Sequence, residues 1–131
     1  MKKIVFTLLL LISSLYAELK NEYLSQKIID SKIPIVDIRT TGEWRETGII
    51  KDSIPIMFFN ERGGYNLNSF LKELNSKVDT KKPFALICRT GSRTQIVSTY
   101  LANELHYKVT NILGGIMYPQ MKNPPFVRYM K

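Results

Sequence analysis

Short apolar runs alternate with amphipathic segments through most of the chain, and this alternation restricts the fold more than any other feature of the sequence. Phe84–Ile87 is apolar at every position, which is typical of a strand buried on both faces. Residues 35–38, 54–59 and 109–113 are the other predicted strands. Strands that alternate with helices form parallel sheets covered on both sides. We therefore predict one α/β domain with a central, mostly parallel sheet of about five short strands.

The segments between these strands carry apolar residues at helical spacing. Residues 67–78 and 96–105 each predict an amphipathic helix, and residues 18–31 predict a third. Residues 41–44 are predicted to be a loop that enters a shorter helix, and Gly48 is predicted to end that helix. We expect these helices to cover both faces of the sheet.

Residues 1–17 have the layout of a secretory signal peptide. Lys2 and Lys3 precede an apolar run over residues 4–12, and a polar, small-residue segment ends at Ala17. The apolar run is shorter than the roughly 20 residues that span a bilayer, so we expect no stable membrane span once the segment is removed. The sequence thus predicts a signal peptide at 1–17, a single domain at 18–131 and export to the periplasm.

The basic charge balance first raises the question of nucleic-acid binding. The formal net charge is +8, but the Lys and Arg residues are scattered and form no stripe interleaved with aromatic residues. An exported protein also rarely meets nucleic acid. We therefore expect no nucleic-acid partner, and we expect the positive charge to attract small anions instead.

Cys88 is the only cysteine of the chain, so it cannot form an internal disulfide. An unpaired cysteine in an exported chain indicates a reactive thiol or an intermolecular bridge, and a buried structural cysteine is the third interpretation. Its position favours the reactive thiol, because Cys88 directly follows the predicted strand Phe84–Ile87. Ligands of parallel α/β sheets bind beyond the carboxyl ends of the strands.

The residues after Cys88 are suited to hold an anion. The backbone N–H groups of such a loop and the amino end of the following helix supply partial positive charge. Arg89 and Arg93 add full charges, and Gly91 allows the backbone to close tightly around the sulfur. These features favour an anionic, nucleophilic sulfur at Cys88.

The segment just described closely resembles the active-site loop of rhodanese-like sulfurtransferases; its residues are Cys88, Arg89, Thr90, Gly91, Ser92 and Arg93. Residues 36–39, followed by Glu43, Trp44 and Gly48, resemble the first motif of that family, and residues 109–115 resemble its last. The resemblance covers roughly residues 33–115 and implies the rhodanese-like fold. The small exported form is also similar to phage-shock periplasmic rhodaneses.

The resemblance also gives meaning to the length of the loop. In this fold the short C-x4-R loop is associated with sulfur transfer. Related phosphatases and arsenate reductases carry C-x5-R, which widens the loop to fit a tetrahedral oxyanion. Cys88 and Arg93 are spaced as C-x4-R. The resemblance therefore implies sulfur transfer and disfavours a phosphatase-like enzyme.

The implied chemistry has two steps and uses neither metal nor cofactor. The thiolate of Cys88 attacks the outer sulfur of a donor such as thiosulfate or a persulfide, and a persulfide forms on Cys88. A thiophilic acceptor, cyanide or a thiol, then takes that sulfur. The implied partners are small sulfur-containing anions and the thiol or persulfide of another protein. The alternative function is a sulfur-carrier or interaction module with little turnover on free thiosulfate.

The roles of several loop residues stay open at this point. Thr90 and Ser92 belong to the predicted active-site loop by position. Arg89 has two interpretations, a ligand for the substrate anion and an ordinary exposed arginine. Arg93 adds charge to the loop and is also suited to pair with the carboxylate of Glu43 and so hold the shape of the loop, and we favour this mixed role.

Three further residues have predicted supporting roles or none. Asp37 and Arg39 follow a predicted strand at the same sheet edge, and we expect them to brace the active-site loop. His106, the only histidine, lies at the far end of the helix that follows the loop, about 18 Å away, so a dyad with Cys88 is disfavoured. We expect His106 to end that helix in a left-handed conformation.

Overall fold

The computed structural model describes residues 19–130, so the predicted signal peptide lies outside the described residues. The strands are β1 Lys20–Tyr23, β2 Ile35–Asp37, β3 Ile49–Ile50, β4 Ile54–Pro55, β5 Phe84–Ile87, β6 Val109–Leu113 and β7 Phe126–Val127. The helices are α1 Gln26–Ser31, α2 Thr41–Thr47, α3 Leu67–Lys77 and α4 Ser92–Leu105. None of these helices is long and apolar enough to cross a bilayer.

Five of the strands form one sheet in the order β1-β6-β5-β2-β4. Every pair of neighbours in it is parallel. The remaining strands, β3 and β7, pair antiparallel as a separate ribbon. The predicted α/β fold with a parallel five-stranded sheet is confirmed.

Side chains of the central strand β5 alternate between two buried clusters, one on each face of the sheet. Phe84 and Leu86 belong to the cluster that contains Phe70 of α3 and Leu101 of α4. Ala85 and Ile87, which point the other way, belong to the cluster that contains Ile28 of α1. This two-residue period explains why β5 is apolar throughout, since both of its faces are covered.

The helix predicted over residues 18–31 is wrong in its first half. Lys20–Tyr23 forms strand β1, which pairs in parallel with β6, and the helix is confined to Gln26–Ser31. Ser25 caps this helix, because its side chain accepts a hydrogen bond from the N–H of Ile28. The helical spacing of Leu24 and Ile28 belongs to the turn and α1, whereas β1 is specified by hydrogen bonds to its neighbour.

The strand predicted over residues 54–59 is shorter than expected, since only Ile54–Pro55 is strand. Beyond Pro55 the backbone stays hydrogen-bonded along β2, since the N–H groups of Ile56 and Phe58 donate to the carbonyls of Asp37 and Ile38 at 3.0 and 3.2 Å. The rings of Phe58 and Phe59 pack against Tyr65. Phe58 also contacts Phe70 of α3 edge to face, at a centroid distance of 4.8 Å. The chain therefore stays beside β2 as far as Phe58, and the aromatic contacts hold its side chains against α3.

Candidate active site

Cys88 lies immediately after β5, at the carboxyl edge of the sheet, and is fully buried. Its Sγ atom accepts a hydrogen bond from the N–H of Gly91 at 3.2 Å. The hydroxyl oxygen of Thr94 lies 3.6 Å from the same sulfur and donates to the carbonyl of Gly91 at 3.3 Å. The sulfur is thus enclosed by the loop and the first turn of α4. The contact from Thr94 was not among the sequence predictions.

Gly91 occupies the position directly before α4 and has a left-handed backbone, with φ of +97°. A Cβ atom built on it would lie 2.9 Å from the backbone nitrogen of Gly114. Two features therefore require glycine at position 91: its positive φ and the close approach of the loop that contains Gly114. The sequence had suggested only the space around the sulfur. No side chain caps α4, so its first turn keeps N–H groups that no capping side chain occupies.

The loop that follows β6 holds the Cys88 loop from one side. The N–H of Ile116 donates to the carbonyl of Cys88 at 3.0 Å, and that of Met117 donates to the carbonyl of Arg89 at 3.1 Å. Gly115 lies against the carbonyl groups of Cys88 and Arg89, and its φ of +56° is in the left-handed region. Sequence reasoning assigned no role to this glycine, although the Gly114–Gly115 doublet was the available signal.

Arg93 pairs with Glu43 on the other side of the loop. Two nitrogens of the guanidinium bind the two carboxylate oxygens at 2.7 and 2.8 Å. Glu43 also completes a capping box with Thr40 at the start of α2. The pairing interpretation of Arg93 is therefore confirmed, and Arg93 joins α4 to α2.

Both partners of this pair are held in their charged forms. The hydrogen bonds from Arg93, assisted by those from Thr40, lower the pKa of Glu43 from 4.5 to about 2 against the opposing effect of burial. The same bonds to Glu43 raise the pKa of Arg93 above its ordinary value. Arg93 is consequently a fixed cation beside the loop and is unsuited to donate a proton.

Asp37 and Arg39 form a buried ion pair with each other. The remaining hydrogen bonds of the pair go to the end of α2, and not to the active-site loop as expected. Arg39 binds Asp37 through Nη2 at 2.8 Å and through Nε at 3.0 and 3.1 Å. Its remaining donors reach the hydroxyl of Thr47 and the carbonyl of Gly48, both at 2.8 Å. The pair therefore anchors the end of α2 to the end of β2. It makes no direct hydrogen bond to residues 88–93, but the charge of Asp37 contributes, after that of Glu43, to the raised pKa of Arg93.

The side chains of Arg89, Thr90 and Ser92 lie on the surface around the buried sulfur. Within residues 19–130, Arg89 makes no ion pair, so its full charge faces the solvent at the outer side of the loop. A cleft of about 610 Å³ lies beside Arg93, between the starts of α2 and α4 and the loop over residues 59–63. Cys88 does not line this cleft.

Within the described part of the chain, neither the single histidine nor a group of carboxylates forms a second catalytic or metal-binding site. His106 ends α4 with φ of +57°, which confirms the predicted left-handed conformation. Within residues 19–130 no three histidine, cysteine or carboxylate side chains are grouped as metal ligands. The chemistry available at this site is that of a buried sulfur within a positively polarised loop.

The sequence and the fold both resemble known proteins. The sequence profile of the rhodanese-like domain matches residues 20–118. A sulfurtransferase of Allochromatium vinosum is 27% identical over 101 residues, which covers 76% of this chain and 84% of the relative. An uncharacterised protein of Rickettsia prowazekii is 31% identical over 91 residues, which covers 67% of this chain and 72% of the relative.

A solved structure supports the same assignment at the level of the fold. The crystal structure of a rhodanese-like domain protein from Staphylococcus aureus matches with a TM-score of 0.61 at 19% identity, covering 85% of this chain and 99% of the other. On these matches, the chain belongs to the rhodanese-like sulfurtransferase family.

Proposed function

We propose that the protein transfers sulfane sulfur by carrying it on Cys88 as a persulfide. The observation that supports this most strongly is the hydrogen bond from the N–H of Gly91 to Cys88 Sγ, at 3.2 Å, within a loop of six residues. The amino end of α4 follows this loop directly and is not capped by a side chain, so its partial positive charge supports the same effect. Backbone N–H groups arranged in advance stabilise negative charge that develops during a reaction.

In the first step the thiolate of Cys88 attacks the outer sulfur of thiosulfate. The sulfur–sulfur bond of the donor breaks, sulfite leaves with the bonding electron pair, and the transferred atom becomes the anionic end of a Cys–S–S⁻ group. In the second step cyanide or an acceptor thiolate attacks that outer sulfur, the persulfide bond breaks, and the Cys88 thiolate is regenerated. Each step is a simple displacement at sulfur.

Access to the sulfur favours small donors. Cys88 has no exposed surface, so a donor must present a sulfur at the end of a narrow group. The charge of Arg89, at the outer side of the loop, attracts anions towards this point. We therefore infer that small sulfur-containing anions, thiosulfate among them, are the donors.

A specific observation also favours the alternative of a carrier that delivers its sulfur to a protein. Met117 and Tyr118 are 48% and 61% exposed, and Met117 is bonded through its N–H to the carbonyl of Arg89. Exposed apolar side chains beside a reactive residue are suited to contact a protein surface. The acceptor in this function is a thiol of a second protein.

Formation of thiocyanate from thiosulfate and cyanide tests the proposal. We expect turnover by the wild-type protein and none by the Cys88→Ala variant. Turnover that is slow, together with full transfer of the bound sulfur to a protein thiol, would assign the protein to the carrier function. Unchanged turnover in Cys88→Ala would overturn both functions.

A further inference from the structure

The edge of the sheet opposite Cys88 carries a row of lysines. The five strands of the main sheet are parallel, so their amino ends share one edge. Each strand begins with a lysine or has one within the three residues before it. We call this set the lysine edge; its members, in the spatial order of the strands, are Lys20, Lys108, Lys82, Lys81, Lys32 and Lys51.

The members of the lysine edge are all exposed, and neighbouring strands of a sheet lie only about 4.8 Å apart. None of the six makes an ion pair within residues 19–130. The strands and loops that carry them contain three carboxylates, of which Asp79 accepts a hydrogen bond from the backbone N–H of Lys81. The other two are Asp52 and Glu22, and Glu22 is paired with Lys27. Six lysines therefore face two carboxylates that make no ion pair within residues 19–130.

The helix ends near this edge reduce the excess of positive charge only in part. Lys77, at the end of α3, is paired with Glu73. Asp30 of α1 accepts a hydrogen bond from Gln26, one turn back along the helix. Glu104 in the last turn of α4 is the remaining carboxylate. The edge therefore keeps a net positive charge after its neighbours are counted.

The carboxyl edge of the same sheet differs in that its buried and half-buried cations are paired with carboxylates. Its buried or half-buried arginines are neutralised by carboxylates, Arg39 by Asp37 and Arg93 by Glu43. The four residues of β5 separate the two edges by about 13 Å. Unpaired lysines thus gather at the end of the molecule farthest from the reactive sulfur.

A cavity opens between two members of the lysine edge. It encloses about 420 Å³ between Lys32 and Lys51; Ile28, Ile33 and Ile54 contribute apolar lining, and Asp52 and Ser53 contribute polar lining. Two lysines beside a partly apolar recess match a ligand that is both anionic and apolar, although Asp52 offsets part of their charge. A nucleic-acid backbone has no apolar part for such a recess, whereas a phospholipid has one.

We propose that the lysine edge seats the protein on an anionic phospholipid surface. Lysines close to such a surface each strengthen binding by about fivefold, and the effect decays within a Debye length. Binding through this edge turns the Cys88 loop towards the aqueous phase. The reactive sulfur then faces soluble donors and acceptors while the protein stays at the membrane.

Sedimentation with lipid vesicles tests this proposal on the full chain, with residues 1–18 unchanged in every variant. The edge variant carries Lys51→Gln, Lys81→Gln, Lys82→Gln and Lys108→Gln. The control variant loses the same formal charge away from the edge, through Lys27→Gln, Arg45→Gln, Arg62→Gln and Lys72→Gln. Urea unfolding is measured for each variant, so that loss of the fold is distinguished from loss of binding.

The vesicles contain either phosphatidylcholine alone or phosphatidylcholine mixed with phosphatidylglycerol. We expect the wild type to bind the anionic vesicles more tightly, and the edge variant to lose at least about 20-fold of that preference. The control variant should retain most of it. Equal losses in both variants would overturn the proposal, since net charge alone would then explain the binding. Duplex DNA bound in preference to anionic vesicles would also overturn it.

Discussion

The guanidinium of Arg93 and the carboxylate of Glu43 face each other in two parallel hydrogen bonds, of 2.7 and 2.8 Å. They lie fifty positions apart in sequence, and they join the last residue of the Cys88 loop to the first turn of α2. Asp37 and Arg39 in turn fasten the other end of α2 to the sheet. The loop is therefore held by charge pairs that do not themselves contact the sulfur.

Glu43→Gln should make the stability of the protein less sensitive to acid pH. The pKa of Glu43 is lowered from 4.5 to about 2 in the folded state, so its ionised form stabilises the fold above the higher value. This stabilisation is lost as the pH falls from about 4.5 to about 2. We expect the free energy of unfolding, measured in urea, to fall more steeply over this range in the wild type than in Glu43→Gln.

Glu46→Gln is the matched control, because Glu46 is exposed on the same helix and has no ion pair within the described residues. At neutral pH we expect Glu43→Gln to cost about 1 kcal/mol, as half-exposed bidentate pairs commonly do. Parallel pH curves for Glu43→Gln and the wild type would contradict the role assigned to the pair.

Gly115→Ala should disrupt the active-site loop. A Cβ atom at this position would clash with the carbonyl oxygens of both Cys88 and Arg89, and backbone atoms cannot easily yield. Gly63→Ala is the control, since Gly63 also has a left-handed backbone, with φ of +81°, but open space around it. We expect Gly63→Ala to cost about 1 kcal/mol from φ alone, and Gly115→Ala to cost about 1–3 kcal/mol more.

The thiocyanate assay separates these two glycine variants further. We expect Gly115→Ala to lose most of its turnover, because the Cys88 and Arg89 carbonyls must move and the Gly91 N–H moves with them. Gly63→Ala should keep its turnover. Similar stability and turnover in the two variants would mean that the loop after β6 does not position Cys88.

Tyr129→Ala should expose the single tryptophan. The rings of Trp44 and Tyr129 lie 5.3 Å apart, and Trp44 is only 5% exposed. Because Trp44 is on α2, the C-terminal segment covers the helix that carries Glu43. We expect Tyr129→Ala to shift the fluorescence emission of Trp44 to longer wavelength and to lower the free energy of unfolding by about 1 kcal/mol. An unshifted emission, equal to that of the control Tyr100→Ala, would contradict this packing.

Residues 1–17 should be removed during export. We expect protein produced in a Gram-negative host to be recovered from the periplasm with Glu18 at its amino terminus, as read by mass spectrometry. Leu9→Arg interrupts the apolar run and should leave the chain unprocessed in the cytoplasm. Recovery of the wild-type chain with Met1 intact would contradict the predicted signal peptide.

The central part of the fold could be predicted from local sequence, because its strands are buried on both faces. β5 and β6 coincide with the predicted strands, and the Cys88 loop follows β5 as expected. Strand β1 could not be predicted in this way. Its side chains are mostly exposed and carry no two-residue period, so only its hydrogen bonds to β6 define it.

The candidate site was predictable to the same extent. The positions of Cys88 and Arg93 fix the loop, and the pairing of Arg93 with Glu43 follows from the chemistry of the two groups. The partners of Arg39 could not be read from the sequence, because they depend on how α2 packs against the sheet. The contact of Thr94 with the sulfur was missed because it arises from the turn of α4.

The mass of the intact protein after treatment with thiosulfate tests the central claim most directly. We expect the wild-type chain to gain the mass of one sulfur atom at Cys88, and cyanide to remove it with formation of an equal amount of thiocyanate. Cys88→Ser should gain nothing. A wild-type chain that takes up no sulfur, or a Cys88→Ser chain that takes up as much as the wild type, would contradict the assignment of Cys88 as the sulfur carrier.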